Sequence, residues 1–258
     1  MKQTTLLILS ILFLTSACNT GDTSSKVETE NNAIAQDQNQ QKMNNIYELA
    51  INQAKEGQYE QFLDTRTKFV EVLGQEEATL NEGKWQPFFT VGDMKLDNVL
   101  IGMTHWNSMQ GFGEAAGRLM PQDVTKNYFG SFNPLAYVLL ETLDGKSFDV
   151  ESIKKAGQVV EFAIRKGTTE DAFGEARETF FGSLENYEGY QFAREFKVYQ
   201  LDENSMPQFQ EGIQAVIIVW DNAEAFQAAA TPIFASESYQ NFAKNLEVSA
   251  YFASSPVQ

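Results

Sequence analysis

The chain repeats itself, and that constrains its fold more than any other feature. Ile46-Tyr47-Glu48-Leu49-Ala50-Ile51 aligns with Val159-Val160-Glu161-Phe162-Ala163-Ile164, and Phe62-x-x-x-Arg66-x-x-Phe69-Val70 aligns with Phe173-x-x-x-Arg177-x-x-Phe180-Phe181. Thr104-His105-Trp106-Asn107-x-x-Gln110-x-Phe112 then matches Ile218-Val219-Trp220-Asp221-x-x-Glu224-x-Phe226, and Leu135-Ala136-Tyr137 matches Ser249-Ala250-Tyr251. The four blocks keep their order at offsets of 111 to 114 residues. A duplicated chain has to be built from one motif used twice.

Each copy reads as strand, helix, strand, strand, helix, strand. The opening strands are short and apolar (46–51 and 159–164). Tyr59, Phe62, Leu63, Arg66, Phe69, Val70 and Leu73 then fall on one helical face with an arginine at its margin, as do Phe173, Ala176, Phe180, Phe181 and Leu184. Thr168 followed by Asp171 reads as the cap of the second copy's helix. Further strands are expected over 85–91 and 98–106, and over 192–201 and 215–220. Asn107-x-x-Gln110 and Asp221-x-x-Glu224 read as capping boxes opening a second helix. Closing strands are expected at 135–141 and 249–253. This order is ferredoxin-like, with copies over 46–145 and 158–258 joined by a polar linker at 144–157.

Val219-Trp220-Asp221-Asn222-Ala223-Glu224-Ala225-Phe226, followed by Ser236-Glu237-Ser238-Tyr239-Gln240-Asn241-Phe242, resembles the antibiotic-biosynthesis-monooxygenase-like group of the dimeric α+β barrel superfamily. The first copy keeps Trp106, Phe112 and Tyr128-Phe129. The resemblance implies an α+β fold in which two tandem units pack their open sheet faces together. The result would be a pseudo-dimeric barrel within one chain, monomeric in solution. It also implies a pocket for a small apolar or aromatic molecule, and cofactor-independent oxidation of an aromatic substrate as one possible activity. Haem-degrading relatives carry a histidine after the strand-end Trp, on the second helix. Neither copy has one, which counts against iron ligation, and no cofactor or metal is expected.

The N-terminus speaks to location. Lys2 precedes an apolar run from Leu6 to Leu14, too short to span a membrane, and Leu14-Thr15-Ser16-Ala17-Cys18 resembles a bacterial lipobox. The expectation is a signal peptide over 1–17, lipidation of Cys18, and attachment to the cell envelope, with the outer membrane favoured over the inner because Asn19 does not resemble the inner-membrane retention signal. Cys18 is the only cysteine, so no internal disulfide is possible. Residues 18–45 are rich in Asn, Gln, Thr, Ser and Glu and read as a disordered tether. A net charge of −16 excludes phosphate-neutralising contact with nucleic acid.

No HExxH, Cys-His pair or glycine-rich phosphate loop is present. His105 is the only histidine and the best candidate for a general base, although Val219 at the matching position shows that the fold does not need it. Trp106, Trp220, Tyr137 and Tyr251 are core residues or the wall of a ligand cavity, to which Trp85, Phe88 and Phe89 can add. Arg66 and Arg177 pair with local carboxylates or hold an anionic ligand. Glu48 and Glu161 interrupt apolar strands at equivalent places, either turned outward or placed in the barrel, where burial would raise their pKa. A non-catalytic binding or interaction barrel is preferred to the enzyme.

Overall fold

The computed structural model describes residues 44–91, 94–168 and 170–257. The signal sequence, Cys18 and most of the tether lie outside the described residues. The first half runs β1 (Asn44–Ala54), α1 (Tyr59–Leu73), β2 (Thr79–Thr90), β3 (Val99–Ser108), α2 (Met109–Leu119), α3 (Asp123–Gly130) and β4 (Phe132–Thr142). The second runs β5 (Val159–Gly167), α4 (Glu170–Leu184), β6 (Tyr190–Leu201), β7 (Pro207–Trp220), α5 (Ala223–Ala235), α6 (Glu237–Lys244) and β8 (Leu246–Pro256).

The strands close a barrel in the order β1-β3-β2-β8-β5-β7-β6-β4. Each half supplies four antiparallel neighbours, and the halves join at two antiparallel seams, β2 with β8 and β4 with β6. Closure in one chain leaves no sheet edge unpaired. The duplication extends to irregularities: β1 is bulged between Ile51 and Asn52 against β4, and β5 between Ile164 and Arg165 against β8.

Strand alternation sorts the side chains into two layers. Tyr47, Leu49, Ile51, Ile101, Met103, Val160, Phe162, Ile217 and Phe252 fill the barrel. The opposite faces carry Ile46, Trp106 and Leu139 in the first half and Val159, Ile218 and Trp220 in the second, and these pack under the helices. Each large side chain so buried contributes ~1.5–3 kcal/mol. The barrel is therefore a packed core and not a lumen.

Three details depart from the sequence reading. The second helix of each copy is two helices. Gln122 and Ser236 are extended and start α3 and α6 afresh, Ser236 accepting from the Tyr239 amide at 3.2 Å. The capping residues lie one position late: Ser108 accepts from Gly111 N at 3.0 Å and Asn222 from Ala225 N at 2.9 Å, whereas Asp221 accepts from Gln191. Thr168 donates to the Asn245 carbonyl at 3.2 Å, and the Asp171 side chain lies outside the described residues.

The linker is the third departure. It contains a turn of 3-10 helix at Val150–Ile153, and Phe148, Val150 and Ile153 are buried in the barrel core. The Tyr47 hydroxyl grips the Phe148 main chain twice, accepting from its amide at 2.6 Å and donating to its carbonyl at 2.9 Å. The Trp85 indole donates to Ile153 O at 2.9 Å. The segment between the copies thus plugs the barrel rather than merely spanning it.

Candidate functional site

The alternation that fills the barrel also places the candidate residues. On β3, Met103 and His105 face the barrel while Thr104 and Trp106 face the helices. His105 stacks on Tyr47, ring centroids 4.4 Å apart, and its Nε2 lies 3.1 Å from Asn45 Oδ1. Burial lowers its pKa, and Asp149 of the linker opposes that shift. His105 and Trp106 are consecutive and lie on opposite faces of one sheet, so they do not form one site. Trp85 likewise belongs to the barrel, edge-on to Phe162 at 5.2 Å.

Beneath the helices, each half builds the same cluster around a carboxylate. Glu161 on β5 accepts from the Trp220 indole at 2.5 Å through Oε1 and from the Tyr251 hydroxyl through Oε2. In the first half, Glu48 on β1 accepts from the Trp106 indole at 3.0 Å, and the Tyr137 phenol is directed at the same carboxylate. Both glutamates face the helices, neither outward nor into the barrel. Desolvation raises the pKa of each and outweighs the lowering by its Trp and Tyr donors. The phenols of Tyr137 and Tyr251 are pushed well above their ordinary value, by burial first and the adjacent carboxylate second. The sequence signal was the charged residue breaking an apolar strand at equivalent positions.

The edge strand of the other half flanks each cluster. Tyr199 and Leu201 of β6 pack against the first, where α2 buries Met109, Phe112, Ala115 and Leu119. Phe88 and Phe89 of β2 reach the second, Phe88 edge-on to Phe226 at 6.1 Å and Phe89 edge-on to Tyr251 at 6.1 Å. There α5 buries only Ala229, although the helix carries a single charged residue, Glu224. Phe88, Phe89 and Phe234 remain 45%, 43% and 44% exposed. Glu161 and Trp220 are themselves buried, and Phe226 and Ile233 of α5 pack partly exposed over them, so the second cluster differs from the first in its looser helix cover and its exposed aromatic margin.

The arginines sit apart from these clusters. Arg66 pairs with Glu82 of β2, and Arg177 pairs with Glu195 of β6 at 2.7 Å. Arg165, unremarked in the sequence, is 3% exposed, shares Glu195, and lies over the rings of Phe173, Phe181 and Phe242 at 4.8–5.5 Å. Among the described residues no group of three or more His, Cys, Asp or Glu is placed to hold a metal ion, and no helix is long and apolar enough to cross a membrane.

No family model and no curated protein matches the chain. Solved structures do. An anthrone oxidase-like protein is 10% identical, with a TM-score of 0.54 over 85% of this chain and 94% of its own. A chlorite dismutase candidate is 9% identical, with a TM-score of 0.54 over 84% and 96%. A mutant chlorite dismutase from Candidatus Nitrospira defluvii in complex with cyanide is 10% identical, with a TM-score of 0.51 over 83% and 92%. At such identities the likeness is one of fold. The chain shares its α+β barrel fold with these proteins, and both halves of the barrel are in one polypeptide.

Proposed function

We propose that this is a lipid-anchored protein of the cell envelope that binds a small apolar or aromatic molecule between α5 and the sheet of its second half, without converting it. The observation that carries this reading is the contrast between the two copies. The same Glu–Trp–Tyr cluster lies under four buried side chains of α2 in the first half and under one from α5 in the second, where exposed aromatic rings border it. Exposed aromatic surface beside a hydrogen-bonded buried carboxylate is the composition of a ligand site: apolar walls with few fixed polar groups. Both Glu161 oxygens are engaged by the chain's own donors, which suits holding a ligand better than taking its proton. The lipobox-like Leu14–Cys18 run supports the anchor, and Cys18→Ser should release the protein from membranes and abolish its labelling by a palmitate analogue.

Native mass spectrometry of the protein isolated from its own envelope tests the binding. The expected species is a monomer with the added mass of a small molecule. That mass should be absent from Ala229→Leu, which fills the space between α5 and the sheet, and retained by Ala50→Leu in the first half. A bare monomer in every case removes the binding reading.

A second reading has one observation in its favour. A buried carboxylate of raised pKa beside a Tyr is also a general base in the making, and the fold is shared with a protein named as anthrone oxidase-like. His105 faces the barrel, so Glu161 would be the base and Trp220 and Tyr251 would position the substrate. Oxygen uptake with an anthrone, lost in Glu161→Gln while binding persists, would establish the enzyme. The binding reading predicts no uptake.

A further inference from the structure

The two halves differ at one matched position, and the difference leaves a hole. In the first half Glu82, opposite Thr104 on β3, supplies the carboxylate for Arg66. Thr104 lies two residues before Trp106, and Ile218 lies two before Trp220, so the matching position on β6 is the residue opposite Ile218. That residue is Ala193. Arg177 therefore reaches one step further along the ladder, to Glu195, which it shares with Arg165.

Where the first half has the Glu82 side chain, the second has an open cleft of about 430 Å³ lined by Arg177, Ala193, Arg194, Phe181, Tyr190 and Leu143. That volume is in the range of small-molecule sites. The wall at Gly182 is open, since a Cβ there would meet nothing within 4 Å. The polar side holds two guanidinium groups, Arg177 and Arg194, ion-paired with Glu195 and Asp144 of the same wall, and Glu195 is shared from behind by the buried Arg165. The exposed Glu178 gives Arg177 only a 3.5 Å contact, and Glu185 stands at the rim.

We propose that this cleft binds a small carboxylate with a flat apolar body. The ligand's carboxylate takes the place before Arg177 that the Glu82 side chain takes before Arg66, and its body lies against Phe181 and Tyr190. Guanidinium–carboxylate pairing supplies direction and the rings supply apolar contact. Tyr190, edge-on to Trp220 at 5.8 Å, is the wall between this cleft and the Glu161 cluster, and the proposal does not depend on a ligand at Glu161.

Titration calorimetry of the protein with phenylacetate tests the assignment, with hexylamine as the charge-reversed control. Saturable binding of phenylacetate alone is expected, weakened roughly tenfold or more in Arg177→Gln, a loss of ~1.4 kcal/mol or more. Ala193→Glu is the sharper variant. Its new carboxylate should close on Arg177 as Glu82 closes on Arg66, abolishing binding while leaving the melting temperature unchanged or raised. Ala229→Leu, which fills the space beneath α5, should leave binding intact. The proposal is overturned if phenylacetate shows no saturable binding, if Ala193→Glu binds as well as the parent, if hexylamine binds equally, or if Ala229→Leu abolishes binding.

Discussion

The indole of Trp220 donates to Glu161 diagonally across the β5–β7 ladder, from the position facing Val159 to the position facing Ile218. Trp106 and Glu48 repeat this across β1–β3, from the position facing Ile46 to the position facing Thr104. A buried carboxylate is expensive to desolvate, and well-packed apolar residues at both positions would cost the fold less. Keeping the carboxylate with both donors in two diverged copies marks the cluster as more than packing. What separates the copies is the helix above it.

The raised pKa of Glu161 sets a pH dependence. A carboxyl whose folded pKa lies above its unfolded value, near 4.5, stabilises the fold fully below that value and loses the contribution as pH rises toward the folded pKa. Glu161→Gln should therefore flatten the fall of the melting temperature as pH rises above about 4.5. Thermal melts of variant and parent across that range check this, and parallel curves would contradict it.

The linker should behave as core. Phe148→Ala is expected to cost about 3–5 kcal/mol. Tyr47→Phe strips partners from a buried amide and a buried carbonyl at about 1–3 kcal/mol each. Urea unfolding at neutral pH measures both. A linker that merely spanned the copies would give near-zero values.

Helix starts discriminate between neighbouring residues. Ser108→Ala and Asn222→Ala should each cost about 1 kcal/mol, and Asn107→Ala a few tenths. Urea midpoints of the variants rank them, and an inverted order would return the caps to the positions the sequence suggested.

Much of this was legible because duplication and period-2 alternation survive divergence. Blocks such as 46–51 and 159–164 placed both central strands, and the Trp at the end of β3 and β7 placed two more. Faces were harder to read. In β3 the apolar run through Leu100, Ile101 and Met103 is buried on both sides, so it cannot announce that His105 turns inward while Trp106 turns out. The capping boxes misled because Asn107-Ser108 and Asp221-Asn222 each offer two adjacent cap-forming residues, and the backbone geometry selects the second. The linker's role hung on Phe148, Val150 and Ile153 scattered among charges, a pattern without periodicity. Arg165 escaped notice because its partner Glu195 lies on another strand, 30 residues away.

The central claim is that the second cluster receives a ligand and the first does not. Energy transfer from tryptophan to N-phenyl-1-naphthylamine, an uncharged apolar fluorophore, tests it most directly when measured in Trp106→Phe and Trp220→Phe. With Trp85 in the barrel contributing equally to both, the account predicts that sensitised emission falls more in Trp220→Phe than in Trp106→Phe. A larger fall in Trp106→Phe, or an equal fall in both, would contradict it.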